Sequence, residues 1–187
     1  MGRSEGEARE ASWRNKTLEI WNTRGTFMIR NIIQSNRSAY LTDLEVQEIR
    51  FQDAKTVSPE LIDILHLDKD PSHSSRAFHA LMILENFDQL SFLIDFYEGA
   101  SSEWKWVCLG SLAKFNHPKA IAKLCDVLLN SREPELKLAA AESLEILANL
   151  ESLFALKFAK DHDTSQDFNG ASIAFAASKA IKKIDLA

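Results

Sequence analysis

The sequence predicts an all-α fold, a short right-handed α–α superhelix of about three and a half helical hairpins behind an N-terminal helical cap. Three observations carry that expectation. Gly and Pro number only 6 and 4 among 187 residues, which leaves few places for sharp turns. From Ser74 onward, apolar residues recur at intervals of three and four between short polar breaks, the period of a helix with one buried face. Those segments also echo one another at a fixed step. Set Leu112 on Leu144, 32 residues on, and Cys108 falls on Ala140, Phe115 on Leu147 and Ile121 on Leu153. A step of 31 the other way reaches Ala77, Leu81, Leu84 and Leu90. Such a period marks a helical repeat. The chain accordingly divides into residues 1–70, a cap or extension, and residues 71–187, the repeat domain.

Residues 1–11 are small and charged, without periodicity. From Ser12 a helix is expected, with Trp13, Ile20 and Trp21 on one face and Gly25 at its end; the two indoles staple it onto the repeats. Thr26 is placed to cap a second short helix carrying Phe27, Met28, Ile32 and Ile33. Thr42-Asp43-Leu44-Glu45 fits a capping box ahead of Val46, Ile49 and Phe51. Leu44, Val46 and Ile49 suit neither period cleanly, so a strand over 45–51 stays open. Ser58-Pro59-Glu60 reads as the start of a short helix, since proline at the first helical position gives up no hydrogen bond. That helix stops before Asp68-Lys69-Asp70-Pro71.

Three hairpins follow. The first pairs 75–86 with 89–97. The second pairs 103–115 with 118–129 through Asn116 and His117, with Asn116 as the cap ahead of Pro118. The third pairs 133–148 with 150–160 and is reached through Ser131 and Pro134. A polar loop over 161–170 leads to a last helix, 171–184, in which Ala177 and Ile181 stand 37 residues beyond Ala140 and Leu144. A lone hairpin leaves one face of each helix exposed, and stacking the next covers it. Small residues at Ala77, Cys108, Ala140 and Ala177 let neighbouring first helices approach; Leu81, Leu112, Leu144 and Ile181 fill the layer behind.

The segments RAFHALMIL, WVCLGSLAKFNHPKAIAKL, LAAAESLEILANLESLFAL and AFAASKAIKKI resemble HEAT-like repeats, of the short kind found in phycobilisome lyases. The resemblance covers residues 74–187, about three-fifths of the chain. Its closest point is the turn Phe115-Asn116-His117-Pro118-Lys119-Ala120, which keeps the Pro and Ala of the family's Leu-Gly-Asp-Pro-Glu-Ala and replaces its Gly and Asp. The resemblance implies a fold and nothing catalytic. It implies an extended concave surface built from the second helices, of a kind that mostly binds proteins.

Composition bounds the rest. Apolar content of 45% and charged content of 26% are ordinary for a soluble globular protein. Net charge is −5; residues 1–37 carry seven Lys/Arg against four Asp/Glu, or +3, which leaves −8 for the remainder. Residues 74–187 hold 12 Lys/Arg against 15 Asp/Glu, so nucleic acid, whose phosphates must be neutralised by cations, is an unlikely partner. Cys108 and Cys125 lie in amphipathic segments and read as two buried thiols rather than a disulfide. The charged start has no apolar run behind it, so no signal peptide is expected. Nothing approaches the ~18 unbroken apolar residues of a membrane span. Gly2 follows Met1, but Gly6 stands where myristoylation wants Ser or Thr. A cytoplasmic protein is the expectation.

Two polar clusters invite a metal. His66, Asp68, Asp70 and His73, with His79 further on, match no ligand spacing, and Asp70-Pro71 explains them as an interhelical turn. Asp161, Asp163, Ser165 and Asp167 alternate like the start of a calcium loop, yet Gln166 and Ser172 stand where such a loop needs its Gly and its bidentate Glu. That stretch reads as a loop that caps the last helix. No nucleophile elbow, phosphate-cradling Gly loop or paired CxxC occurs. No catalytic residue, metal or cofactor is assigned.

The aromatics say more. Trp104 and Trp106 lie about 200° apart on a helix and cannot share a face. Trp106 aligns with the core side beside Val107 and Leu109. Trp104 is then either an exposed aromatic for a partner or packed near Tyr97. Lys119 and Lys123, with Lys179, Lys182 and Lys183, form a basic edge or a solvated face. The partner-binding residues expected are Trp104, Lys119, Lys123 and Asp126.

The leading expectation is a non-enzymatic protein-interaction module: an adaptor, an assembly factor or an inhibitor of the immunity type, its acidity suited to a basic partner. The alternative follows from the resemblance: a subunit like the phycobilin lyases, holding a tetrapyrrole among aromatics and one or two carboxylates near Trp104 and Asp126. A likeness to helical-repeat DNA glycosylases ranks last, because it needs a basic groove.

Overall fold

Residues 25–35 and 38–186 are described by a computed structural model, and every regular element among them is a helix. Contacts group the chain into two units, up to Gln89 and from Leu90. The repeat pattern had placed its division at 70/71.

In the first unit α1 covers 25–34, α2 Asp43–Arg50, α3 Ala54–Leu67 and α4 Pro71–Ile83. Gly25 and Thr26 are already helical, so neither ends nor caps a helix at that point. The expected helix bearing Trp13 and Trp21 lies outside the described residues. The capping box at α2 is formed: the Thr42 hydroxyl accepts from the Glu45 N–H while the Glu45 carboxylate accepts from the Thr42 N–H at 2.7 Å. That settles helix over strand for this segment. Helix α3 corrects the reading of Pro59 as a start, since Asp53 is its N-cap and Pro59 lies inside it. Starting a turn earlier buries Ala54 and Val57 with Leu61, Ile64 and Leu65. That outweighs the one backbone hydrogen bond an exposed Pro59 cannot make. Helix α4 likewise begins at Pro71 behind an Asp70 cap, and it packs on α2 and α3.

Arg76 of α4 organises this unit. It is fully buried, and its guanidinium donates to four oxygens: the carbonyls of Ile33 (3.0 Å), Ile32 (2.6 Å) and Tyr40 (2.6 Å), and the Glu45 carboxylate (2.6 Å). Ile32 and Ile33 lie in the last turn of α1, where carbonyls have no helical partner. One planar fork thus closes α1, fixes the loop at Tyr40 and engages the capping residue of α2. Burial alone would raise the Glu45 carboxyl, but hydrogen bonds from Arg76 and Thr42 outweigh it and hold it below the ordinary value.

The second unit contains α5 (Gln89–Gly99, beginning at the boundary), α6 (Ser102–Leu112), α7 (Pro118–Asn130), α8 (Pro134–Leu147), α9 (Leu153–His162, after a 3₁₀ turn at Leu150–Ser152) and α10 (Ile173–Ile184). Helix α8 packs on α6, α7 and α10, and α9 packs on α7 and α10. Cys108, Leu112, Ala140, Leu144 and Ala177 are fully buried, as Ala77 and Leu81 are in the first unit. Ile181 departs from its expected place: it is half-buried and Ile184 is the buried residue of that turn. The Ser143 hydroxyl of α8 donates to the Leu109 carbonyl near the end of α6, 3.0 Å away, inside this interface. The cap of α7 is His117 rather than Asn116: its ring nitrogen accepts from the Lys119 N–H, and Asn116 instead accepts from Asn149 at 2.9 Å. No helix among the described residues is long and apolar enough to cross a membrane.

Candidate functional site

Trp104, the first residue expected at a partner surface, is half-buried and sets its ring edge-on to Phe96 at 6.0 Å; Phe96 in turn stacks on Phe92. This is the packed arrangement rather than the exposed one. Lys123 belongs to the same corner. Its ammonium sits 4.3 Å from the centroid of the Tyr97 ring and 2.6 Å from the Glu98 carboxylate, with 12% of the side chain exposed. Lys105 approaches the same ring at 5.4 Å. Burial first, then Glu133, Glu98 and Asp126, pushes the Tyr97 hydroxyl up to about 12. These groups therefore tie α5, α6 and α7 together. Lys119 and Asp126 are exposed on α7, where Asp126 accepts from Asn130 at 2.8 Å.

The polar clusters are spent on local structure. The Asp68 carboxylate accepts from the Asp70 N–H (2.9 Å) and the Gln34 amide (3.0 Å), and it faces the His73 ring at 3.0 Å. The Asp70 N–H bond holds its carboxyl low against some desolvation, with Gln34 and His73 helping. Asp163 pairs with Lys137 at 2.7 Å and accepts from Ser165; those bonds outweigh its burial and lower it. Ser172 caps α10, which begins at Ile173 and not at the expected 171. Among the described residues, no three His, Cys, Asp or Glu side chains are grouped to hold a metal. Cys108 and Cys125 are free thiols; burial pushes the first up to about 12, and burial with Glu151 pushes the second up to about 11.

The distinctive surface lies elsewhere. Glu103, Trp106 and Val107 of α6, Glu135, Leu138 and Glu142 of α8, and Asp167, Phe168 and Asn169 of the loop before α10 line an open groove of about 560 Å³. Trp106 corrects the expectation that it faces the core: it is 56% exposed. The buried side of α6 is set by Cys108, Leu109 and Leu112, whereas Glu103, Trp106 and Gly110 share the opposite stripe at i, i+3 and i+7. Gly110 keeps that stripe bare, because a helical side chain covers the turn before it and a Cβ at 110 would meet nothing within 4 Å.

Phe168 is presented by a small folded loop. The Asp167 carboxylate accepts from the N–H groups of Asn169 (2.9 Å) and Ala171 (2.6 Å), and Gln166 bridges to Ser172. Gly170 turns the chain at φ +83°. The ring is left 82% exposed. Four apolar side chains and four carboxylates thus line the groove, with no Lys or Arg among the nine lining residues. A second cleft of about 450 Å³ carries both signs, Arg132 and the Lys137–Asp163 pair, beside Phe158 and His162.

Sequence reasoning missed the groove, although two of its three parts were legible. Glu103–Trp106 and Glu135–Leu138–Glu142 are acid–apolar stripes at helical spacing. Phe168 needed the loop fold. Compared with known proteins, the chain matches no family model, no curated protein and no solved structure.

Proposed function

We propose that the protein is a non-enzymatic interaction module, in which α6 to α10 stack as HEAT-like hairpins and present the groove to a partner protein. The observation that carries this reading is the groove itself: two large exposed aromatics, Trp106 and Phe168, beside Val107 and Leu138 of neighbouring helices. Aromatics in such a setting are the residues that dominate binding energy at interfaces. The packing of α6 on α8 and of α8 on α10, with Cys108, Ala140 and Ala177 buried, supports the hairpin stack. Neutral thiols and carboxylates engaged in turn hydrogen bonds favour binding over catalysis.

The test is capture of partners from source-organism lysate on the wild-type chain and on Trp106→Ala, with an absorbance spectrum of the eluate. A stoichiometric protein lost in the variant is the expected result. A visible chromophore without such a protein would instead establish the second reading, a bilin-handling subunit. One observation favours that alternative, the aromatic rings and carboxylates sharing one groove. It ranks second because tetrapyrrole propionates need cations, and no Lys or Arg lines the site.

A further inference from the structure

We infer that the groove receives a cationic amphipathic helix of a partner protein, with Lys or Arg about two turns apart on either side of an apolar anchor; the inference rests on the binding-module reading and specifies its ligand. Charge comes first. Glu103, Glu135 and Glu142 line the groove, with Asp167 beside them already accepting from the Asn169 and Ala171 N–H groups, and no Lys or Arg is among the lining residues. A neutral or acidic segment seated there would draw the three glutamates out of water unpaired or against like charge. A basic one pairs them and is steered in by the same field.

Spacing comes second. Glu135, Leu138 and Glu142 stand at i, i+3 and i+7 on α8, so the two glutamates leave the helix about 10.5 Å apart along its axis with Leu138 between them. A partner helix repeats at the same pitch, so cations at i and i+7 with an apolar residue between them meet this pattern in register. Trp106 and Phe168 take the anchor, and the bare turn at Gly110 leaves the indole accessible.

The probe is a displayed library of helical peptides of about 18 residues, long enough for several turns. It is panned on the full wild-type chain at low salt, with one selected peptide resynthesised for titration. Recovered sequences should be basic, with Lys or Arg seven apart around a large apolar residue. The resynthesised peptide should weaken roughly tenfold on Trp106→Ala, as loss of an aromatic anchor does. It should weaken to a similar degree on the double change Glu135→Lys and Glu142→Lys, and as salt rises from about 0.05 to 0.3 M.

Melting curves of each variant confirm folding, and Glu142→Gln, which removes charge without reversing it, should give an intermediate loss. Neutral or acidic sequences, binding indifferent to these variants, or no enrichment would each overturn the proposal. So would self-association of the wild-type chain abolished by Trp106→Ala, which would make the occupant a second copy. A lysate partner lost on Trp106→Ala, with no basic helix recovered from the library, would sink this inference and leave the binding-module reading standing; a partner captured equally by wild type and groove variants would sink both. Absence of both a library binder and a lysate partner would sink the two together.

Discussion

In the first unit the largest fully buried side chain is charged, Arg76, and its fork ties together α1, α2 and the loop between them. In the second unit the buried centre is Cys108, Leu112, Ala140, Leu144 and Ala177, and its buried polar side chains are serines. The contrast follows from regularity. Helices α6, α8 and α10 meet their neighbours along stripes of small and large apolar residues, so packing sets their spacing and the Ser143 bond to the Leu109 carbonyl adds to it. Residues 38–42 ahead of α2 are irregular, and with the end of α1 they offer carbonyls outside any helical ladder to Arg76. The buried centre of one unit is knotted by a charged, directional group and that of the other is mainly packed.

The largest effect should come from cutting the directional unit at its knot. Arg76→Met removes the guanidinium from the Ile33 and Tyr40 carbonyls, from the Ile32 carbonyl that keeps only the Ser35 hydroxyl, and from the Glu45 carboxylate, and should cost about 3–5 kcal/mol, the range for breaking a buried pair on one side. Arg76→Lys should recover only part, because an ammonium cannot reproduce the planar fork. Amide exchange followed by peptide would show the loss within residues 25–89; equal loss across 90–186 would refute the assignment of the knot to the first unit.

Leu144→Ala is the matching cut in the packed unit. Leu144 is fully buried on α8, which packs on α6, α7 and α10, and the cavity should cost about 2–5 kcal/mol. A volume-conserving Leu144→Met should cost less than about 1.5 kcal/mol. The comparison breaks if Met costs as much as Ala, since packing by volume predicts that it does not.

Acid should separate the units next. The folded-state carboxyls of Glu45, Asp68 and Asp70 are held low in the first unit, and that of Asp163 in the second. A carboxyl depressed by folding adds stability that is complete above its unfolded value, near 4.5 for Glu and 3.8 for Asp, and lost as pH falls through the folded value. Urea midpoints read by exchange between pH 6 and 3 should therefore fall further in the first unit. Parallel decline would mean that Arg76 and Glu45 contribute no pH-linked stability there.

The same contrast decides what was legible in the sequence. Apolar periodicity located α6 to α10 to within a few residues, because burial of one face is all those helices require. It also placed the capping box at Thr42, whose two bonds are local. It failed at Pro59, where burial of Ala54 and Val57 overrode a propensity rule, and at Arg76, where a cation in an apolar run joins partners 31 to 44 residues away. Trp106 was misplaced because the half-buried Val107 drew the core line round the helix, whereas Cys108, Leu109 and Leu112 define it. Phe168 left no periodic trace, since turn hydrogen bonds expose it.

The smallest effects test whether the packed unit tolerates local backbone misfit that its regularity conceals. Ala148 closes α8 at φ +47°, a left-handed conformation that costs an L-residue roughly 1–2 kcal/mol. Gly110 lies within α6, where an added Cβ meets nothing within 4 Å. Ala148→Gly and Gly110→Ala should therefore each stabilise the second unit by about 0.5–1 kcal/mol, the first by relieving strain and the second by restoring helix propensity. Both gains should appear in thermal melts and leave exchange in the first unit unchanged. Gly110→Leu extends the argument to function. Leucine is nearly as good a helix former as alanine, so the melt should rise almost as far, while its side chain covers the turn that carries Trp106. Stability retained with docking weakened would assign Gly110 a part in opening the groove; docking unchanged would show that the indole is reached from another side.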